Sequence, residues 1–151
     1  MRIQLPEWVS GYVGIPFREQ GYDAAGCHCW GLVRLVLSER ADIDAPSLSQ
    51  GYTSSRDVEH INMIIAGEST FWEPVTRGAE KLFDVLTMTR VNRRVRKRIE
   101  CHVGVVVAPG WMLHIERATK ATCECYHSER QARSVANFYR WSHTGCQTKL
   151  A

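Results

Sequence analysis

The segment HVGVVVAPGWMLHI, at positions 102–115, restricts the fold more than any other part of this sequence. Its first half is rich in valine, its centre carries a Pro-Gly pair, and its second half is again apolar. This pattern predicts two antiparallel strands, 102–107 and 111–118, joined by a turn. Further extended segments are predicted at 71–75, 82–89 and 135–141. Strands that follow one another along a chain favour an antiparallel sheet, here of about five strands.

Helices are predicted before these strands. From position 29 to about 40 the residues are apolar nearly all round, and the length of the run favours a buried helix over a buried strand. A second helix is predicted at 56–66, where apolar residues share one face and Gly67 follows as a stop. The chain is therefore predicted to be an α+β protein, and its 151 residues suit a single domain, 1–151.

Cys29, in the stretch GCHCWGLV at 26–33, is a candidate nucleophile. A helix that begins near residue 29 places this thiol beside unpaired backbone N–H groups and the positive end of the helix dipole, which stabilise a thiolate. Gly31 allows another backbone, or a substrate, to approach the first helical turn. Cys27 lies two residues earlier, where the helix end acts on it less strongly. Two ordinary buried cysteines would give the same pattern.

Two histidines of the predicted hairpin are candidates for a base and an orienting group. His102 opens the first strand and His114 lies in the returning strand. They share a sheet face if His114 lies opposite Gly104 or Val106, but a two-residue turn gives the wrong parity. The hypothesis therefore requires a three- or five-residue loop or a β-bulge; otherwise the two histidines are unrelated. With that condition met, Cys29 attacks a carbonyl carbon, His102 takes the thiol proton and His114 orients His102.

The same segments resemble the NlpC-type cell-wall cysteine peptidases, a papain-like group. The stretch YVGIPFREQGYDAAGCHCWGLV is similar to that family's opening segment and nucleophile helix, FDVLTMT stands at its Gly-Asp strand, and HVGVVV with MLHI is similar to its histidine hairpin. The Trp after the cysteine, the segment FWEPV and the closing FYRW resemble the phage tail-associated subgroup. The resemblance covers most of the chain and implies a papain-like fold, with the nucleophile helix packed against the sheet.

By this resemblance, Cys29 is the nucleophile, His102 the base and His114 the third polar residue. The implied substrate is a bacterial peptidoglycan stem peptide, cut between D-glutamate and the diamino acid through an acyl-enzyme and without a cofactor. Backbone N–H groups at the helix start, including that of Cys29, would hold the oxyanion.

Three positions depart from the pattern of that family. The residue before the nucleophile is usually Asp and is here His28, and the residue after it is often Ser and is here Trp30. The family's Tyr after an early Pro is replaced by Phe17, which has no hydroxyl; Tyr12 and Tyr22 are the candidates to replace that group. The predicted oxyanion and substrate-binding set is Cys29, His28, Trp30, Phe17 and Tyr12.

Three other functions are compatible with parts of the sequence. A zinc site would use CHC (27–29), CH (101–102) and CEC (123–125), although zinc sites usually have C-x₂₋₄-C spacing. Nucleic-acid binding would use RVNRRVRKR (90–98), which has no interleaved aromatics and is more simply a solvated hairpin connection; an anionic cell-wall polymer or a tail partner is a further candidate. The third is an inactive phage tail scaffold of the same fold.

The remaining cysteines have no predicted catalytic role. Cys101 is predicted to point away from His102 and to pack, and Cys27 is predicted to be able to form a disulfide with Cys29 under oxidation.

No export signal and no apolar run of membrane-spanning length is visible, so synthesis in the cytoplasm, as a virion component or prophage product, is expected. The expected partners are stem peptides and phage tail proteins, rather than a membrane or nucleic acid.

Overall fold

The computed structural model describes residues 3–45 and 71–142. The helix predicted at 56–66 therefore lies outside the described residues. Within them, the chain forms a 3₁₀ helix (Glu7–Gly11) and one α-helix, α1 (Cys29–Ala41). The strands are β1 (Tyr22–Asp23), β2 (Gly26–Cys27), β3 (Trp72–Val75), β4 (Val85–Asn92), β5 (Lys97–Ala108), β6 (Trp111–His114), β7 (Thr122–Cys125) and β8 (Val135–Trp141). None of the described helices is long and apolar enough to cross a membrane.

Six strands form one antiparallel sheet in the order β3-β8-β4-β5-β6-β7, while β1 and β2 pair separately. The α+β class and the antiparallel sheet are as predicted, and the sheet has one strand more than expected. The additional strand is β7, which pairs along the whole of β6. Its sequence, TCEC, is too short to show a clear alternation of apolar and polar residues, so it carries little strand signal.

Helix α1 begins at Cys29, as predicted, and packs against β5 and β6. Its apolar residues form the main core with the valines of the central strands, as the nearly all-round apolar pattern requires. This core includes Leu32, Val33, Val36, Leu37, Val85, Val103 and Val105. A second, smaller cluster comprises Leu86, Met88, Val106, Met112, Tyr126 and Phe138. Both faces of the central strands are therefore buried, which fixes the hairpin register between them.

The hairpin of β5 and β6 turns at the predicted Pro-Gly pair, and a β-bulge corrects its parity. Val106 pairs with Met112, whereas Ala108 pairs with Trp111, so that Val107 is an extra residue on β5. A β-bulge inserts one residue into one strand and shifts the register of everything beyond it. The condition that the sequence set for the two histidines is thus met by a bulge and not by a longer loop.

Candidate active site

An open cavity lies between the start of α1 and the first half of β5. Its lining comprises Phe17, Cys29, Arg90, Cys101, His102, Ile115, Glu116 and Arg117. Cys29 and His102, the predicted nucleophile and base, are thus brought to one cavity. His114 lies directly behind His102, within hydrogen-bond distance of it.

His28 caps the N-terminus of α1. Its Nδ1 accepts a hydrogen bond of 2.8 Å from the backbone N–H of Gly31. A nitrogen that accepts must keep its lone pair, so the ring is neutral with its proton on Nε2, and burial lowers the pKa of His28 accordingly. An acceptor at the N-cap satisfies one of the unpaired N–H groups of the first turn, and Asp is one of the residues that commonly supply such an acceptor.

Gly31 admits a second piece of backbone to the same turn. A Cβ at this position would overlap the carbonyl oxygen of Gly21 and would lie 2.6 Å from Nδ1 of His28. The Gly21 carbonyl also accepts a hydrogen bond of 3.1 Å from the N–H of His28. The neighbour that the glycine admits is therefore the loop before β1, which holds the start of α1 in place.

The Cys29 thiol is buried beside several backbone N–H groups. Those of Val103, Trp30 and Cys29 itself favour the thiolate, but burial outweighs them and raises the pKa of Cys29 to about 11. The helix end therefore acts on the thiol in the predicted direction, but burial of the thiol, which was not visible in the sequence, has the larger effect on its pKa. A neutral thiol needs a base to take its proton during attack.

A chain of hydrogen bonds runs from His102 to an acidic residue. Nε2 of His102 lies 2.9 Å from Nδ1 of His114, and Nε2 of His114 lies 2.9 Å from Oε2 of Glu124. The same carboxylate oxygen accepts a hydrogen bond of 3.1 Å from Nε2 of Gln131, which fixes its position. His114 reaches His102 because it lies opposite Gly104, where a Cβ would approach the Cβ of His114 to 3.2 Å.

This chain sets the tautomers of both histidines. A carboxylate only accepts hydrogen bonds, so Nε2 of His114 carries a proton and donates a hydrogen bond to Glu124. Burial lowers the pKa of His114 despite the neighbouring Glu124, so the ring is neutral and its Nδ1 accepts from Nε2–H of His102. Burial, followed by His114 and Arg90, holds the pKa of His102 well below its usual value. His102 is therefore neutral with its lone pair on Nδ1, the form that a general base requires.

Glu124 was not predicted as a member of the site. In the sequence it belongs to the CEC pair considered for zinc, and the strand around it was missed. Glu124 pairs with Met112, two residues before His114, so the alternation of a recognised strand would have placed Glu124 and His114 on one sheet face. A strand assignment at Thr122–Cys125 was the missing signal.

Cys101 also has a position that the sequence did not predict. It was expected to pack on the opposite side of the sheet from His102, but it lines the same cavity. The register of β4 and β5 shifts here, with Thr89 opposite Glu100 and Met88 opposite His102, so Cys101 is the extra residue of a second β-bulge. A bulge interrupts the alternation on which the expectation rested.

The predicted substrate-binding residues divide into those at the cavity and those away from it. Phe17 lines the cavity, and no tyrosine hydroxyl is supplied by that position. Trp30 is 1% exposed, and its ring packs edge-on to Trp72 at 6.0 Å, so its contribution near Cys29 is its backbone N–H.

Neither candidate tyrosine is brought to Cys29. The Tyr12 hydroxyl donates to Oε1 of Glu39 at 2.7 Å and accepts from Nε of Arg40 at 3.1 Å. Glu39 lies ten residues beyond Cys29 on α1, which is about 15 Å along a helix. Tyr22 is 58% exposed, with the Arg34 guanidinium over its ring. Tyr12 therefore belongs to the packing at the far end of α1 and not to the predicted substrate-binding set.

One group among the described residues has the composition of a metal site. The ligand atoms of His102, His114 and Glu116 lie within 4.8 Å of one another. His102 and His114 are already joined by a hydrogen bond, and Glu116 pairs with Arg90 at 2.6 Å. The cysteine pairs considered for zinc contribute only the neighbouring His102 to this group.

No family model and no curated protein matches the sequence. Solved structures do share the fold. NlpC2 from Trichomonas vaginalis is 15% identical, with a TM-score of 0.59 over 90% of this chain and 45% of that one. An NlpC/P60 family protein from Bacillus cereus is 16% identical, with a TM-score of 0.60 over 92% of this chain and 41% of that one. The chain thus spans less than half of the length of these two proteins.

A third similar structure is a single domain. It is the NlpC/p60 domain of the peptidoglycan hydrolase SagA, 16% identical, with a TM-score of 0.52 over 87% of this chain and 90% of that one. The protein described here has the papain-like fold of NlpC/P60 proteins: one helix that begins at a cysteine and packs on an antiparallel sheet that carries the histidine pair.

Proposed function

We propose that this protein is a cysteine peptidase that hydrolyses peptide bonds of bacterial peptidoglycan stem peptides, of the type between D-glutamate and the diamino acid. The observation that carries the proposal is the hydrogen-bonded chain from Glu124 through His114 to His102, a residue that lines the same cavity as Cys29. This chain occupies Nε2 of His102 and leaves the lone pair of Nδ1 available as a base. The fold shared with a domain of a peptidoglycan hydrolase supports the choice of substrate.

The proposed reaction begins with a neutral thiol and a neutral imidazole. Sγ of Cys29 attacks the carbonyl carbon of the scissile bond while Nδ1 of His102 takes the thiol proton. The oxyanion of the tetrahedral intermediate is held by backbone N–H groups at the start of α1. His102 then protonates the leaving amine, which departs and leaves a thioester on Cys29.

Hydrolysis completes the reaction with the same groups. His102 takes a proton from a water molecule, which attacks the thioester carbonyl and releases the stem peptide acid and the free thiol. In both halves of the reaction His102 becomes an imidazolium in a buried place, where the charge is costly. The Glu124 carboxylate offsets that cost through His114.

Digestion of purified stem peptides and muropeptides, followed by mass spectrometry, tests the proposal. The wild-type protein is expected to cut one peptide bond, and Cys29→Ala is expected to cut none. Cys27→Ala is the matched control, because this neighbouring thiol is also buried and donates a hydrogen bond to the backbone carbonyl of Asp23 at 3.2 Å. Cleavage that survives in Cys29→Ala but is lost in Cys27→Ala would overturn the assignment of the nucleophile.

A setting in a phage tail is part of the proposal, and it rests on the resemblance of FWEPV and FYRW to tail-associated sequences. The alternative within this setting is an inactive scaffold, and the replacement of a tyrosine by Phe17 in the cavity is the observation in its favour. A folded protein that cuts no peptide under reducing conditions at any pH would support the scaffold. Antibody detection of the chain in purified virions tests the setting itself.

A further inference from the structure

The strands β4 and β5 continue beyond the rest of the sheet as an isolated hairpin. β8 pairs with β4 only as far as Met88, and β6 pairs with β5 only from Val105 to Ala108. Among the described residues, positions 90–98 therefore pair with no other strand than their own partner; we call this segment the basic arm. Its turn is fixed by Oδ1 of Asn92, which accepts from the N–H of Arg94 at 2.9 Å.

The basic arm concentrates the positive charge of the chain. It contains six of the 19 lysines and arginines and none of the 16 acids, so the remaining 13 cations are outnumbered by acids. Every residue from 93 to 98 is exposed. Within the described residues, Arg90 is the one cation of the arm that forms an ion pair. A patch of this kind attracts a polyanion, and guanidinium groups match carboxylates in bidentate geometry.

The arm leads directly into the candidate active site. Arg90, at its base, lines the cavity with Cys29 and His102, and Arg117 lies on the same lining. The base of the arm therefore borders the cavity. The arm has no aromatic residue on which bases could stack, and its exposed apolar side chains are Val91 and Val95, 60% and 55% exposed.

From this arrangement we propose that the basic arm binds the carboxylates of stem peptides that neighbour the one in the cavity, and so holds the protein on intact peptidoglycan. The inference rests on the proposed function, because peptidoglycan is the substrate proposed there. It adds a substrate-binding surface outside the cavity and predicts that the arm acts on the cross-linked polymer and not on a short soluble peptide.

Co-sedimentation with purified, insoluble peptidoglycan tests this inference. In a Cys29→Ala background, which keeps the polymer intact, the Arg94→Gln/Lys97→Gln variant is expected to bind roughly tenfold more weakly, with a weaker salt dependence. Lys81→Gln/Arg133→Gln removes the same charge from exposed positions elsewhere and is expected to bind like the parent protein. Peptidoglycan whose carboxylates have been amidated is expected to bind the parent protein as weakly as untreated polymer binds the arm variant.

Three results would overturn the inference: equal binding by the arm variant and its control, undiminished binding to amidated peptidoglycan, or displacement of the protein by duplex DNA at lower concentration than by soluble peptidoglycan fragments. Digestion separates this test from that of the proposed function. Arm-dependent binding without cleavage by the wild-type protein would refute the peptidase and leave the arm. Unchanged cleavage of a soluble stem peptide by Arg94→Gln/Lys97→Gln, with unchanged binding to the polymer, would refute the role of the arm and leave the proposed peptidase.

Discussion

At the scale of single residues, the candidate site depends on where protons lie. Glu124 contacts neither the cavity nor Cys29, but its carboxylate determines which nitrogen of His114 is protonated, and His114 in turn determines the tautomer of His102. In the proposed reaction, Glu124 is thus a positioning residue that acts through two imidazoles. The chain also disperses the positive charge that His102 acquires when it takes the thiol proton.

Replacing Glu124 tests this role. Glu124→Leu removes the acceptor, so His114 can present its proton to His102 and leave the wrong tautomer; kcat on a soluble stem peptide is expected to fall roughly tenfold or more, with KM little changed. Glu124→Gln keeps an oxygen that accepts from His114 but loses the negative charge, so its kcat is expected to lie between those of the wild-type protein and the Leu variant. A Leu variant with wild-type kcat and pH profile, and an unchanged melting temperature, would show that Glu124 has no part in catalysis.

The pH dependence of kcat/KM tests the protonation states. Protonation of His102 removes the base, and its pKa is held well below 6.5 by burial, so the acid limb of the profile is expected below pH 6.5. The pKa of Cys29 is about 11, so the neutral pair persists and activity is expected to hold through pH 8. Steady-state kinetics over this range provide the measurement. An acid limb centred at pH 7 or above would contradict the account.

The sequence made Cys29, His102 and His114 candidates because a helix start and a strand pair leave strong local patterns. It did not identify Glu124, because a four-residue strand carries too little alternation to be recognised. It also could not show how burial acts on Cys29: the dipole of a helix start can be read from sequence, whereas burial of the thiol, which raises its pKa, depends on the packing of distant parts of the chain.

At the scale of elements, two local features position the side chains of the candidate site. One is the tight start of α1, where Gly31 meets the Gly21 carbonyl. The other is the bulge at Val107, which brings His114 opposite Gly104. The need for a bulge or a longer loop followed from the parity of the hairpin, but three consecutive valines at 105–107 gave no basis for placing it.

The start of α1 is tested by Gly31→Ala. The added methyl group overlaps the Gly21 carbonyl, and overpacking of this kind is expected to lower the free energy of unfolding by about 1–3 kcal/mol. The displacement of the first turn also moves Cys29, so cleavage is expected to fall with stability. Urea unfolding measures the first effect. Gly11→Ala is the control, since a Cβ there meets nothing within 4 Å, and equal effects of the two substitutions would contradict the argument.

At the scale of the whole molecule, the pattern of apolar residues along the chain predicts the fold better than sequence identity to known structures does. Structures only 15% and 16% identical share it, because a sheet covered on both faces requires apolar residues at given places and not given residues. The α+β class and the helix–sheet packing were therefore predictable. The projecting arm was seen in the sequence as a basic run, but its isolation from β6 and β8 emerged only with the sheet order.

Acid sensitivity of the whole fold is expected, because three buried histidines are neutral. Burial lowers the pKa of His28, His102 and His114 below the value in the unfolded chain, so the unfolded state binds more protons as the pH falls through 6.5. The contribution of these neutral histidines to the free energy of unfolding is thus fully present above pH 6.5 and decreases as the pH falls below it. Urea midpoints at pH 7.5 and 5.0 measure the loss.

A matched pair of variants isolates one contribution to this acid sensitivity. His28→Asn keeps an N-cap acceptor but does not titrate, so the loss of stability between the two pH values is expected to be smaller than in the wild-type protein. His127→Gln alters an exposed histidine and is expected to leave the loss unchanged. An equal loss in all three proteins would show that the buried histidines do not govern the acid response.

Isolation of the acyl-enzyme tests the central claim, that Cys29 is a nucleophile whose proton is taken by His102. The wild-type protein is mixed with a stem peptide, quenched in acid after milliseconds to seconds, digested, and sequenced by mass spectrometry through residues 26–33, so that Cys27 and Cys29 are resolved. We expect a thioester-linked acyl group on Cys29 of the wild-type protein and none in His102→Ala. An adduct on Cys27 or Cys101, or cleavage with no adduct on any cysteine, would contradict it.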